Sequence, residues 1–140
     1  MAAPDPQNLR RQFRLPLEDE AFLNGLALPW EAVIEAGQRW VLVYGEDVPA
    51  GYNHSSVDVA VMMAPGYPPG PLDMAYFYPP LVRANGTAPC RSESRANIDS
   101  KAWQGWSRHR NPDNPWLPGE DNLESHYFYM RAWLVDELKR

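Results

Sequence analysis

Proline sets the first limit on what this chain can fold into. Fifteen of its 140 residues are proline, concentrated at 65–71, 79–80 and 112–118. A proline ring fixes φ and removes the N–H that a helix interior or a central strand needs. No long helix can cross those stretches, so regular elements must be short pieces between rigid connections. Aromatic and aliphatic residues are interleaved with the prolines, and the chain carries six tryptophans, which argues for a packed domain rather than a low-complexity linker. Length and a hydrophobic content of 44% suit one domain with a real core. That domain is expected over 15–140, after a polar, basic and flexible N-terminal segment at 1–14.

The order of elements follows from periodicity. Leu17 to Leu26 predicts a short helix, with Glu18, Asp19 and Glu20 in its first turn, Gly25 near its end and Ala21, Phe22, Leu23 and Leu26 on its apolar side. Arg39 to Tyr44 is a strand rich in branched and aromatic residues, and residues 30–36 read as its hairpin partner across Gly37-Gln38. In Val57 to Met63, Val57, Val59, Val61 and Met63 share one face, while Asp58, Ala60 and Met62 take the other. Met74 to Tyr78 is the last strand expected. Residues 79–118 show little periodicity and read as one long, ordered loop. Asp121-Asn122 then opens a helix to about Leu138 with a stripe of Leu123, Tyr127, Met130, Leu134 and Leu138. The expected fold is α+β: an N-terminal helix, a four-stranded antiparallel meander, a long active-site loop and a C-terminal helix, with the helices on one face of the sheet.

Composition narrows the function. A net charge of −5 argues against nucleic-acid binding by phosphate neutralisation, although Arg108-His109-Arg110 is a local basic patch. No apolar run approaches the roughly 20 residues that span a bilayer, and the N-terminus lacks the pattern of a signal peptide. A soluble, cytoplasmic protein with no membrane partner is expected. One cysteine precludes an internal disulfide. His54 and His126 have no partner at metal-ligand spacing, and His126 reads as a helix-surface residue, so neither a metal nor another cofactor is expected.

The chemistry then rests on Cys90, in the polar loop Asn85-Gly86-Thr87-Ala88-Pro89-Cys90-Arg91-Ser92. A free cysteine titrates at about 8.5, and positive neighbours raise its thiolate fraction at neutral pH; Arg91 is adjacent, with Arg83 and Arg95 in the same loop. Asn85 or a loop N–H can donate to a tetrahedral oxyanion, and His109 can deprotonate or position an incoming amine. Other readings stay open at this level. Cys90 can be an unreactive thiol, an ester can form on Thr87, Ser92 or Ser94, and His109 can hold the loop by hydrogen bonds. It can also serve an unrelated hydrolase with Asp113 or Asp121. Trp103, Trp106 and Trp116 read as packing residues, and Asp73 as a turn cap.

The element order, the Pro65-Gly66-Tyr67-Pro68-Pro69-Gly70-Pro71 turn and the position of Cys90, 22 residues beyond Pro68, resemble the ubiquitin-conjugating (UBC) fold. Further strings resemble the bacterial UBC-like family called prokaryotic family E. They are Asp19-Glu20-Ala21-Phe22-Leu23, Leu28-Pro29-Trp30-Glu31, Pro49-Ala50-Gly51-Tyr52-Asn53, Leu72-Asp73-Met74, Trp106-Ser107-Arg108-His109 and Pro118-Gly119-Glu120-Asp121. The resemblance implies a conjugating enzyme that accepts a ubiquitin-like modifier as a thioester on Cys90 and passes it to an acceptor. It implies a ThiF-like activating enzyme as donor and a JAB-type metallopeptidase in the same pathway. The His-Pro-Asn motif of the eukaryotic enzymes is absent; Tyr78-Pro79-Pro80 and Ala84-Asn85-Gly86 stand in its place. That departure keeps open a UBC-like binding module or scaffold without catalysis.

Overall fold

Alternation along the strands dictates two buried faces, and the chain builds both. The computed structural model describes residues 4–140. In order, the elements are α1 (Leu17–Gly25), β1 (Trp30–Glu35), β2 (Gln38–Asp47), β3 (Ser56–Met62), β4 (Ala75–Tyr78), β5 (Ser94–Ile98), β6 (Lys101–Trp106) and α2 (Leu123–Glu137). The strands form one curled antiparallel sheet in the order β1-β2-β3-β4-β6-β5. Val57, Val59, Val61 and Met63 pack on the helix-covered face with Leu23, Phe77, Trp106, Leu123, Tyr127, Met130 and Leu134. Ala60 and Met62 face the opposite side, among Val33, Trp40, Leu42, Tyr44, Ile98 and Trp103.

The expected meander of four strands is corrected to six, because residues 94–106 of the long loop form a hairpin. Five of its pairs run from Ser94↔Gly105 to Ile98↔Lys101. Its sequences, Ser-Arg-Ala-Asn-Ile and Lys-Ala-Trp-Gln-Gly-Trp, contain a single β-branched residue, and its turn residues Asp99 and Ser100 lack the glycine that advertises such a turn. Both nevertheless take left-handed φ values of 55° and 62°, the backbone that a two-residue hairpin connection requires. Tertiary contacts stabilise what propensity does not: Ile98 and Trp103 are fully buried, and Trp103 Nε1 donates to the Ile98 carbonyl at 3.1 Å. The β1–β2 connection, Ala36-Gly37, uses the same backbone at φ 52° and 77°.

The sheet curls until its edges are tied together. Residues 1–3 of the expected flexible segment lie outside the described residues. In its described part, Arg10 and Gln12 exchange main-chain hydrogen bonds with Ala32 (3.0 and 2.7 Å), and Phe13 is buried. The Arg10 guanidinium spans from Glu31 on β1 to Asp99 in the β5–β6 turn, at 2.7 Å to each. Glu31 also accepts from the Tyr44 hydroxyl at 2.6 Å. Burial alone would raise the Glu31 pKa, but the Arg10 and Tyr44 hydrogen bonds outweigh it and hold the carboxyl at about 2.

Helix α2 is set by a capping box: the Asn122 side chain accepts from the Ser125 N–H (2.9 Å), and the Ser125 hydroxyl accepts from the Asn122 N–H (2.9 Å). Tyr67, in the turn after β3, accepts from the Leu123 N–H (2.8 Å) and donates to Asp19 of α1 (2.6 Å), so one hydroxyl joins both helices to the turn. Of the expected stripe, Leu123, Tyr127, Met130 and Leu134 are buried, while Leu138 is half-buried as the C-cap of the helix. His126 corrects the surface reading. It stands one turn after Leu123 and one before Met130, is 1% exposed, and its Nε2 lies 2.8 Å from the Met74 carbonyl. Desolvation lowers its pKa, which favours the neutral ring.

Candidate active site

The end of α2 and the entry to β5 meet where the chain places its only cysteine. Cys90 is exposed at the tip of a turn, and the following Arg91 adopts φ 50°. Its neighbours are buried: Pro89 on one side and, two residues on, Ser92, whose hydroxyl donates to the Pro89 carbonyl at 2.7 Å. The thiol therefore sits on a tightened loop rather than on a free strand of chain.

Both main-chain polar groups of Cys90 are engaged by charged side chains from distant parts of the sequence. Its N–H donates to Glu137 Oε1, in the last turn of α2, at 3.2 Å. Its carbonyl accepts from Arg108 Nη1 at 2.7 Å, and Arg108 Nη2 donates in turn to Glu137 Oε1 at 3.1 Å. Arg108 lies two residues beyond the end of β6, and the intervening Ser107 N–H donates to the Arg91 carbonyl at 2.9 Å, so the β6 terminus is stitched to the cysteine loop. Burial lowers the Arg108 pKa, while the Glu137 carboxylate and the Cys90 sulfur oppose that shift. Arg83 reaches Glu137 Oε2 at 3.6 Å and the Leu138 and Arg140 carbonyls at 3.4 and 3.0 Å. Arg140 Nε lies 3.5 Å from Glu137 Oε1.

The other residues singled out in the sequence distribute around this cluster. Asn85 caps its own turn, its Oδ1 accepting from the Thr87 N–H at 2.9 Å. Arg95 turns to the Ser92 and Ser94 carbonyls at 2.8 and 2.9 Å. His109 Nδ1 lies 2.7 Å from Asp73 Oδ1, with both side chains more than half exposed, so the carboxylate that orients it is Asp73 and not Asp113 or Asp121. Asp121 is occupied by the Leu117 N–H (2.7 Å) and the Ser125 hydroxyl (3.0 Å). His109 also lines a cleft of about 260 Å³ with Arg91, Arg108, Tyr129, Trp133 and Glu137. That cleft brings His109 together with Arg91 of the Cys90 loop, and neither Cys90 nor Asn85 is among its lining residues. Trp103 and Trp106 are core residues, as read.

Glu137 is the member that sequence reading missed. A signal existed: it lies two turns after Met130 and four after Leu123, an acid on the heptad line of two buried apolar residues. An acid at such a position needs a counter-charge, which Arg108 supplies.

Fold and site together define an α+β protein that displays one thiol on a loop held between a strand end and a helix C-terminus. The chain belongs to prokaryotic E2 family E, whose family model matches residues 15–137. It is thus a prokaryotic protein of the ubiquitin-conjugating-enzyme-like class, and that class implies a ubiquitin-like modifier as partner. The resemblance read from the sequence is borne out. No curated protein and no solved structure matches the chain. Among the described residues no helix is long and apolar enough to cross a membrane.

Proposed function

We propose that the chain is a UBC-like conjugating enzyme, with residues 15–140 as its domain, that carries a ubiquitin-like modifier as a thioester on Cys90. The observation that carries this reading is the presentation of the thiol: an exposed sulfur whose own peptide is gripped at N–H and C=O by Glu137 and Arg108. In the charging step the Cys90 thiolate attacks the carbonyl of the thioester linking the modifier's C-terminus to a ThiF-like activating enzyme. A new C–S bond forms through a tetrahedral intermediate, and the activating enzyme's thiolate leaves. In the discharge step an acceptor amine attacks the new thioester, loses a proton to a base, and releases the Cys90 thiolate. His109, oriented by Asp73 and lining the adjacent cleft, is suited to that proton. A JAB-type metallopeptidase would act on the product, and the setting is the cytoplasm.

A second reading, a scaffold that docks the modifier without carrying it, draws on Asn85. Its Oδ1 fixes it to its own turn by accepting from the Thr87 N–H, and no contact ties its amide to the Cys90 loop, so the site shows no dedicated oxyanion donor. The two separate in a reconstitution with a ThiF-like enzyme and a ubiquitin-like modifier. Wild type is expected to give an adduct cleaved by reductant, Cys90→Ser an oxyester that resists reductant and is cleaved by alkali, and Cys90→Ala none. An unchanged adduct on Cys90→Ala overturns the carrier reading, and no adduct on wild type supports the scaffold.

A further inference from the structure

Three guanidinium groups converge on one buried carboxylate beside the thiol. Glu137 is 2% exposed and has Arg108 at 3.1 Å, Arg140 at 3.5 Å and Arg83 at 3.6 Å. A buried carboxylate needs a partner, since an uncompensated one is strongly destabilising, but one arginine suffices for neutrality. The surplus positive charge lies around the Cys90 loop, with Arg108 Nη1 on the Cys90 carbonyl at 2.7 Å. Glu137 thus has two connections to Cys90: a direct hydrogen bond to its N–H and, through Arg108, a second to its carbonyl.

We infer that Glu137 is a positioning residue for Cys90, fixing the nucleophile's main chain through the Cys90 N–H and offsetting the arginines gathered around its loop. The inference rests on the reading of Cys90 as the modifier's carrier, but it concerns a coupling that exists without any partner. It also has a chemical corollary. With the Cys90 N–H engaged by Glu137, the oxyanion of the tetrahedral intermediate must be stabilised by a donor other than the nucleophile's own amide, so the loop N–H groups beyond Cys90 and the guanidinium groups become the relevant donors.

Two substitutions with opposite expected signs distinguish this from a purely structural role. Glu137→Gln keeps an oxygen for the Cys90 N–H and removes the negative charge. Alkylation of Cys90 by iodoacetamide in the whole chain near neutral pH is expected to rise about three-fold or more, because the thiolate fraction grows when nearby positive charge is less compensated. Arg108→Gln removes a positive charge and is expected to slow the same reaction by a similar factor. General loosening of the loop would accelerate both, so equal or same-direction changes overturn the inference. A charging assay adds the geometric half: Glu137→Ala, which loses the acceptor, is expected to lower kcat about ten-fold with KM for the loaded activating enzyme unchanged. Wild-type kcat in Glu137→Ala overturns the positioning role. Circular dichroism confirms that each variant is folded. Opposite alkylation shifts together with a wild type that takes no modifier would sink the carrier reading while upholding the Glu137–Cys90 coupling.

Discussion

Arg10 and Asp99 join the two edges of the sheet: Arg10 Nη2 lies 2.7 Å from Asp99 Oδ2, and the same nitrogen lies 2.7 Å from Glu31 Oε1 on the opposite edge strand. The pair closes a curl that no main-chain ladder closes, with Ile98, Trp103 and Leu42 fully buried on the face it shuts. Arg10→Ala leaves Glu31 buried with only Tyr44 as a side-chain partner. Removing one member of a buried pair costs about 3–5 kcal/mol, and the partial exposure of Arg10 places the expected loss at about 3 kcal/mol or below, measured by urea unfolding near neutral pH.

The same cluster makes a defined contribution to acid stability. The Glu31 carboxyl titrates at about 2 in the fold against an ordinary 4.5. A depressed folded value stabilises the fold fully above the unfolded pKa, and that stabilisation is lost as pH falls toward the folded one. Asp99 is lowered as well, through its hydrogen bonds with Arg10, and acts in the same direction. Asp19 is raised by burial and acts in the opposite one. The stability advantage of wild type over Glu31→Gln should therefore shrink by about 2–3 kcal/mol between about pH 5 and pH 2.5. A constant difference across that range would show that Glu31 titrates normally in the fold.

Tyr67→Phe tests the junction of the two helices. The substitution keeps the ring against Trp116 but removes the acceptor of the Leu123 N–H and the donor to Asp19, whose other oxygen is already buried without a partner. Leaving buried polar groups unmet costs about 1–3 kcal/mol each. The Asp19 pKa is raised by burial even with Tyr67 present, so the charged form becomes harder to hold as pH rises through its folded value. The loss of stability should be larger near neutral pH than in mild acid, and equal losses would exclude Asp19 as the cause.

Gly105→Ala probes the β5–β6 hairpin. A Cβ at this position would lie 2.6 Å from Tyr76 Cε2 and 3.0 Å from the Ser94 Cβ. Tyr76 is held edge-on to Trp40, with ring centroids 5.4 Å apart, so it cannot swing aside freely. Overpacking of this kind costs about 1–3 kcal/mol, readable as a lowered urea midpoint at unchanged m-value.

What the sequence made legible follows the strength of local signals. The β3 alternation from Val57 to Met63 and the α2 stripe from Leu123 to Leu134 are strong periodic patterns, and both faces came out as read. The β5–β6 hairpin was hidden because Asp99-Ser100 takes a backbone that Asn-Gly announces far more clearly, and because its strands owe their stability to burial of Ile98 and Trp103 rather than to propensity. At the site, Cys90 stands out by being unique, and His109 by lying in a string with Arg108. The Cys90–Glu137 contact spans 47 residues and depends on where α2 ends relative to β6, which no local pattern encodes.

His109 and Asp73 carry the last prediction. Their side chains meet at 2.7 Å across 36 residues, and both are exposed, so neither is needed for packing. His109→Ala and Asp73→Asn should therefore unfold with stabilities within about 0.5 kcal/mol to 1 kcal/mol of wild type. If the imidazole takes the proton of an incoming amine, its removal acts on discharge and not on charging. General base catalysis contributes about 10² or more to such steps, so single-turnover discharge of the loaded enzyme to free lysine should slow by roughly that factor in His109→Ala. Asp73→Asn, which keeps the ring but weakens its orientation, should lose less. Discharge at the wild-type rate in His109→Ala would assign the pair to holding the 107–111 segment against the start of β4, and leave the acceptor amine to be deprotonated by another group.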